Sequence, residues 1–175
     1  MRAHTLSEEV LVAEGPIVQI DSDDIAELKR ASLSTARKRI RVCTHPDADD
    51  RLHEMLIVHA AGAYVRPHRH EGKSESMHVL EGEADIVFFD DEGEVNEVVP
   101  LGPYGSPRRF YYRVDTPIFH TLLIHSEFLV FHEVTNGPFR REESVFAPWA
   151  PEEADTAACE AFLERLSQSI GGSSR

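Results

Sequence analysis

From residue 39 to residue 134 the chain is written as short apolar runs of period two, and no helix-length stretch interrupts them. Ile40 with Val42, then residues 53–60, 64–68, 77–80, 86–89, 95–99, 110–114, 119–124 and 128–134, read as strands. Gly62, Gly82, Gly93, Gly102, Gly105 and Gly137 punctuate them, and Asp90-Asp91-Glu92-Gly93 between two apolar runs signals a hairpin. Many short strands without intervening helices predict an all-β sandwich or barrel.

The flanks read differently. Asp21-Ser22-Asp23-Asp24 before Ile25, Leu28 and Leu33 predicts a capped helix with carboxylates at its positive end. Residues 16–20 before it suit a short edge strand. Beyond Gly137-Pro138 the alternation stops, and residues 146–151 form an extended segment whose Trp149 is expected to pack on the barrel. Pro151-Glu152-Glu153 then opens a second helix carrying Ala154, Ala158, Phe162 and Leu166 on one face, with residues 171–175 as a flexible tail. The organisation is therefore an extension over residues 1–35, a barrel over 36–140, and a C-terminal segment with helix and tail over 141–175.

A net charge of −13 works against nucleic acid or an anionic membrane as partner, because phosphate binding needs a basic surface. No apolar run is long enough for a membrane span and the N-terminus lacks a signal-peptide core, so cytoplasmic residence is expected. Cys43 and Cys159 have no metal-site or redox spacing and read as reduced structural thiols. Of the ten histidines, His4, His53 and His59 stand alone and read as surface or satisfied core residues.

His68 and His70 are different. Residues i and i+2 of a strand share a face, so the two imidazoles project together. The polar loop Glu71-Gly72-Lys73-Ser74 lets the next strand bring Glu75 to the same place. Two imidazoles and a carboxylate from neighbouring strands suit a divalent metal such as Zn, Fe, Mn or Ni. Met77 is in phase with Glu75 and should line the cavity, whereas His78 is out of phase. His132 and Glu133 cannot both face inward, nor can Tyr111 and Tyr112.

Gly62, His68, His70, Glu75 and Gly82, with five, one, four and six residues between them, resemble the first motif of the cupin superfamily at every fixed position. The resemblance implies a jelly-roll (double-stranded β-helix) barrel and a metal ion, with a further histidine from a later strand. His120 takes that place in Asp115-Thr116-Pro117-Ile118-Phe119-His120, although Asp115 and Pro117 replace the family's proline and glycine. It is out of phase with His125. A closer likeness, over residues 34–151, is to the WbuC family of cupin-fold metalloproteins. It rests on Arg37-Lys38-Arg39, His45, residues 62–70, Val79-Leu80-Glu81-Gly82, Val87-Phe88-Phe89-Asp90 with Gly93, residues 133–139 and residues 146–151.

Members of that family accompany bacterial surface-polysaccharide genes. The resemblance implies one divalent ion on His68, His70, Glu75 and His120, a small-molecule and sugar-type ligand, and a homodimer. Three roles remain open: isomerase or epimerase chemistry on a hydroxy-carbonyl sugar, an Fe(II) dioxygenase, or a non-catalytic sugar- or carboxylate-binding cupin. Tyr64, Tyr112, His132 and Glu133 are the candidates for proton transfer. Arg66, Arg69, Arg108, Arg109 and Arg113 are the candidates for holding a nucleotide sugar.

Overall fold

The computed structural model describes residues 1–172. Along the chain run β1 (Ala3–Ser7), β2 (Val10–Ala13), α1 (Ser22–Ser34), β3 (Arg39–Cys43), β4 (Leu52–Ala60), β5 (His68–His70) and β6 (Glu75–Glu81). They are followed by β7 (Ala84–Phe89), β8 (Val95–Leu101), β9 (Tyr111–Val114), β10 (Phe119–Ile124), β11 (Phe128–Asn136), β12 (Ser144–Phe146) and α2 (Thr156–Gly172). The strands form two sheets, one ordered β1-β2-β3-β4-β11-β6-β9 and the other β12-β5-β10-β7-β8.

Alternation along these strands sorts the apolar residues to two sides. Met55, Ile57, Met77, Val79, Ile86, Phe88, Leu122, Leu129 and Phe131 meet between the sheets. The opposite faces are also apolar, which explains why β4 and β7 read as continuous hydrophobic runs. Helix α1 covers one of them, packing Leu28 with Ile40, Val42, Leu56, Val58 and Val130. The C-terminal segment and α2 cover the other, setting Trp149, Phe162 and Leu166 against Val87, Phe89 and Phe119.

Local chemistry fixes the element ends. Asp21 accepts from the backbone N–H groups of Asp23 and Asp24, and Asp24 accepts from Asp21 N–H, which closes a capping box on α1. At the expected hairpin, Gly93 has φ +95° and Asp90 N–H donates to Glu94 O at 3.0 Å. Trp149 lies 5.0 Å from Phe89 between ring centres and donates its indole N–H to Asp91 O.

Four boundaries differ from expectation. Residues 16–20 form no strand; Gly15, at φ +101°, turns the chain away and Pro16 has no N–H for a ladder. The N-terminal strands are instead β1 and β2, and β2 runs parallel to β3. Residues 64–67 are extended but unladdered up to Pro67, so the strand there begins at His68. Helix α2 starts at Thr156, because Asp155 accepts from Ala158 N–H as its cap, while Pro151 to Ala154 lie outside it. Gly171 and Gly172 belong to the helix, and residues 173–175 of the expected tail lie outside the described residues.

Candidate metal centre

Strand pairing assembles the site. In register, His68 on β5 lies opposite His120 on β10, while Glu75 opens β6, which lies in the facing sheet and not beside β5. Thr121 on β10 donates its hydroxyl to Val65 O, which fastens the unladdered stretch ahead of β5. The expected turn before His120 forms without the positive φ that a glycine would supply. Ile118 N–H donates to Thr116 O at 2.8 Å, a three-residue turn centred on Pro117 whose fixed φ suits it.

One donor atom from each of His68, His70, Glu75 and His120 lies within 4.8 Å of all the others. Donors bound at about 2.0–2.2 Å from one ion stand at most roughly twice that apart, so this spacing is near what a single ion needs. The imidazole Nδ1 atoms point away from the cluster. His68 Nδ1 is 2.9 Å from Arg66 O, His120 Nδ1 is 3.0 Å from Ile118 O, and His70 Nδ1 is 3.3 Å from Ser144 Oγ. Carbonyl acceptors hold a proton on Nδ1 of His68 and His120, which leaves each Nε2 lone pair for the centre. His120 Nε2 is buried without a hydrogen-bond partner and comes only within 3.8 Å of Glu75 Oε1. Such an orphaned acceptor, beside two more imidazoles and a carboxylate, fits a divalent cation.

Glu75 ties the cluster together. Its Oε2 is 3.1 Å from His70 Nε2, and its Oε1 accepts the Tyr112 hydroxyl at 2.7 Å. Burial opposes its charge, but His120 and His70 outweigh that and hold the carboxyl well below its ordinary range. Burial likewise works against an imidazolium at His120, and the Glu75 carboxylate overrides it to raise that pKa. At His68 the Glu75 charge and the Arg66 carbonyl compensate too weakly; burial, then the neighbouring His120 and His70, lowers it to about 3. The Glu75 and His120 side chains are nearly sealed, whereas His70 is 19% exposed, so the centre is reached from the His70 side.

The proton-transfer candidates part company. Tyr112 is buried in the centre, its hydroxyl raised by burial and then by Glu75. Tyr64 lies elsewhere, donating to Pro151 O and packing edge-on to Phe162 of α2. Glu133 faces inward between Met55 and Met77, diagonal to Glu75 across β11 and β6. Burial, then the Glu75 charge, raises it to about 8. His132 is on the outer face, 3.7 Å from Glu54, in register with His78, whose ring stands 5.6 Å from Phe110. His125 sits 2.8 Å from Asp85 rather than in the cluster.

Most of the candidate arginines are already matched. Arg69 pairs with Glu71 and Asp91, Arg108 with Glu83 and Asp85, and Arg113 with Asp115. Arg109 bonds through its backbone to Pro100 and Gly102. Arg66 is set over the ring of Phe146. His53 and His59 are core residues as expected but not satisfied ones, since His53 Nε2 and His59 Nδ1 lack hydrogen-bond partners. Burial, then Arg39, takes His59 down to about 3 and keeps it neutral. Ser144 and Phe146 on β12 join the site without any signal in the local pattern, because a three-residue strand has no readable period.

Two sheets closed over an apolar interior form an all-β fold of the cupin type, and His68, His70, Glu75 and His120 converge within it. A family model described as a domain of unknown function (DUF6016) matches residues 20–101, a span that includes His68, His70 and Glu75 but stops short of His120. Among solved structures, a Shewanella oneidensis protein from a structural-genomics programme aligns with a TM-score of 0.54 at 11% identity, covering 73% of this chain and 85% of that one. A variant of Bacillus subtilis oxalate decarboxylase aligns at 0.45 with 17% identity, over 55% of this chain and 24% of that one. Procruciferin, an 11S globulin of Brassica napus, aligns at 0.42 with 16% identity, over 50% of this chain and 21% of its own. No curated protein matches the sequence. No described helix is long and apolar enough to cross a membrane.

Proposed function

We propose that this chain holds one divalent metal ion on His68, His70, Glu75 and His120 and acts on a sugar or nucleotide-linked sugar by taking a proton from the carbon beside a carbonyl and returning it to the same carbon, in epimerisation, or to the adjacent one, in isomerisation. The observation that carries this reading is the convergence of three imidazoles, their Nδ1 atoms engaged elsewhere, on one buried carboxylate. A divalent ion bound there, whether Zn, Fe, Mn or Ni, supplies Lewis acidity toward a hydroxy-carbonyl group. Similarity to the WbuC family, whose members accompany surface-polysaccharide genes, favours a sugar.

Glu133 is the proton carrier in this reading. It is inward-facing, and burial raises its carboxyl above the ordinary range, which suits a group that both accepts and returns a proton near neutral pH. The proton leaving the carbon beside the carbonyl rests on Glu133 and returns to that carbon in epimerisation, or to its neighbour in isomerisation while the hydroxyl proton passes from one oxygen to the other, so no oxidant or reductant is consumed. Tyr112 keeps Glu75 oriented through its 2.7 Å hydrogen bond, and Met55 and Met77 flank Glu133 in the ladder.

Metal analysis of protein purified without an affinity tag is expected to find about one equivalent, lost in His70→Ala; below about a tenth of an equivalent even after reconstitution, the reading falls. Incubation with nucleotide-linked 4-keto sugars in D₂O is expected to place deuterium beside the carbonyl, and not in Glu133→Gln or His70→Ala. Tight sugar binding without exchange would overturn catalysis and leave a binding protein.

A further inference from the structure

Strand β12 brings an aromatic ring to the lip of the centre. Phe146 lies opposite His68 in register and therefore on the face of the clustered histidines, with the two rings 6.3 Å apart and nearly edge-to-face. Two guanidinium groups lie over the Phe146 ring, Arg66 at 5.0 Å and Arg141 at 4.9 Å from its centre. Neither has a close carboxylate. The nearest to Arg66 is Glu152, 3.8 Å away on a side chain that is 79% exposed, and Arg66 Nε is buried without a hydrogen-bond partner. Among the described residues Arg141 makes no ion pair.

Other described arginines, Arg41 and Arg109 among them, also make no ion pair; what sets Arg66 and Arg141 apart is that they share one ring beside the clustered histidines. Arg37, Arg39, Arg69, Arg108 and Arg113 each have a carboxylate oxygen within 3.2 Å. Two guanidinium groups over one ring repel each other, and an anion bound by both relieves that repulsion. Stacking uses their faces and leaves the N–H edges free, and those edges bind phosphoryl oxygens in pairs. Two positive charges match a phosphoryl dianion better than a single carboxylate.

We propose that Arg66 and Arg141, laid on Phe146, form a phosphoryl-binding cradle beside the His/Glu centre. The cradle would take the phosphate or diphosphate of the ligand whose sugar reaches the metal, and in assigning that ligand it rests on the function proposed above. Free phosphate esters and nucleotide diphosphates share this chemistry.

The test is calorimetric titration of the full chain with inorganic phosphate, pyrophosphate or acetate, at low salt, after metal has been stripped and the chelator dialysed away. Pyrophosphate and phosphate are expected to bind more tightly than acetate, with stronger pyrophosphate binding pointing to a diphosphate ligand and equal binding to a monoester. Arg141→Gln and Arg66→Gln should each weaken binding by about tenfold or more, while Arg141→Lys keeps part of it. Unaltered affinity in Arg141→Gln, which changes an exposed side chain and leaves the core intact, would overturn the cradle, as would acetate binding equal to that of phosphate. Because no metal is present, a failed metal analysis leaves the cradle standing. Full metal loading without arginine-dependent anion binding removes only the cradle.

Discussion

At the scale of single residues, Glu133 and Glu75 show how one barrel gives two carboxyls opposite proton affinities. Glu75 has imidazoles on both sides, whereas Glu133 has methionines beside it in the ladder and a negative neighbour on the diagonal. In the metal-free protein Glu133 holds its proton up to about pH 8, against an ordinary value of 4.5. The folded state therefore binds more protons than the unfolded one between those values, and stability falls as pH rises through that window. Glu133→Gln is expected to be more stable than the parent at pH 8, on the order of 2 kcal/mol, with the gap closing near pH 4. Urea denaturation at the two pH values measures this, and a gap independent of pH would contradict it.

At the scale of elements, the turn from β6 to β7 makes a strict demand on the chain. Gly82 has φ +85°, and a Cβ there would stand 2.0 Å from Phe128 O and 2.5 Å from Ser126 Oγ. Gly82→Ala is expected to cost more than about 3 kcal/mol, seen as loss of soluble protein or a large fall in denaturation midpoint. That glycine was legible in the chain because it ends a readable apolar run. His68, His70 and Glu75 were legible for a related reason: the i, i+2 rule and a four-residue loop fix their common face locally. Ser144 and Phe146 were not. Their place beside His70 and His68 depends on pairing across more than seventy residues of chain, which no local period encodes. The hairpin of β1 and β2 is equally illegible in the chain, since four of the five β1 residues are exposed and provide no apolar stripe.

At the scale of the whole molecule, ion pairs join the two ends of the chain to the barrel. Arg37 and Arg39 both reach Glu9, in the turn between β1 and β2, and Glu153, ahead of α2. Burial opposes the charge on Glu9, but its two arginines prevail and lower its pKa. A lowered folded-state pKa stabilises above the ordinary carboxylate range, and that stability is lost as pH falls through the folded value. Glu9→Gln is therefore expected to cost up to about 1 kcal/mol at pH 7 and almost nothing near pH 2, as read by denaturation at each pH. An equal cost at both would show that packing, not charge, fastens the hairpin. The position of β12 has a consequence for synthesis. All four clustered side chains have been translated once residue 120 is made, yet Ser144, which meets His70 Nδ1, is still to come. A nascent chain thus carries every donor before it carries the finished pocket, and the centre takes its final shape only when the strap after the barrel has left the ribosome.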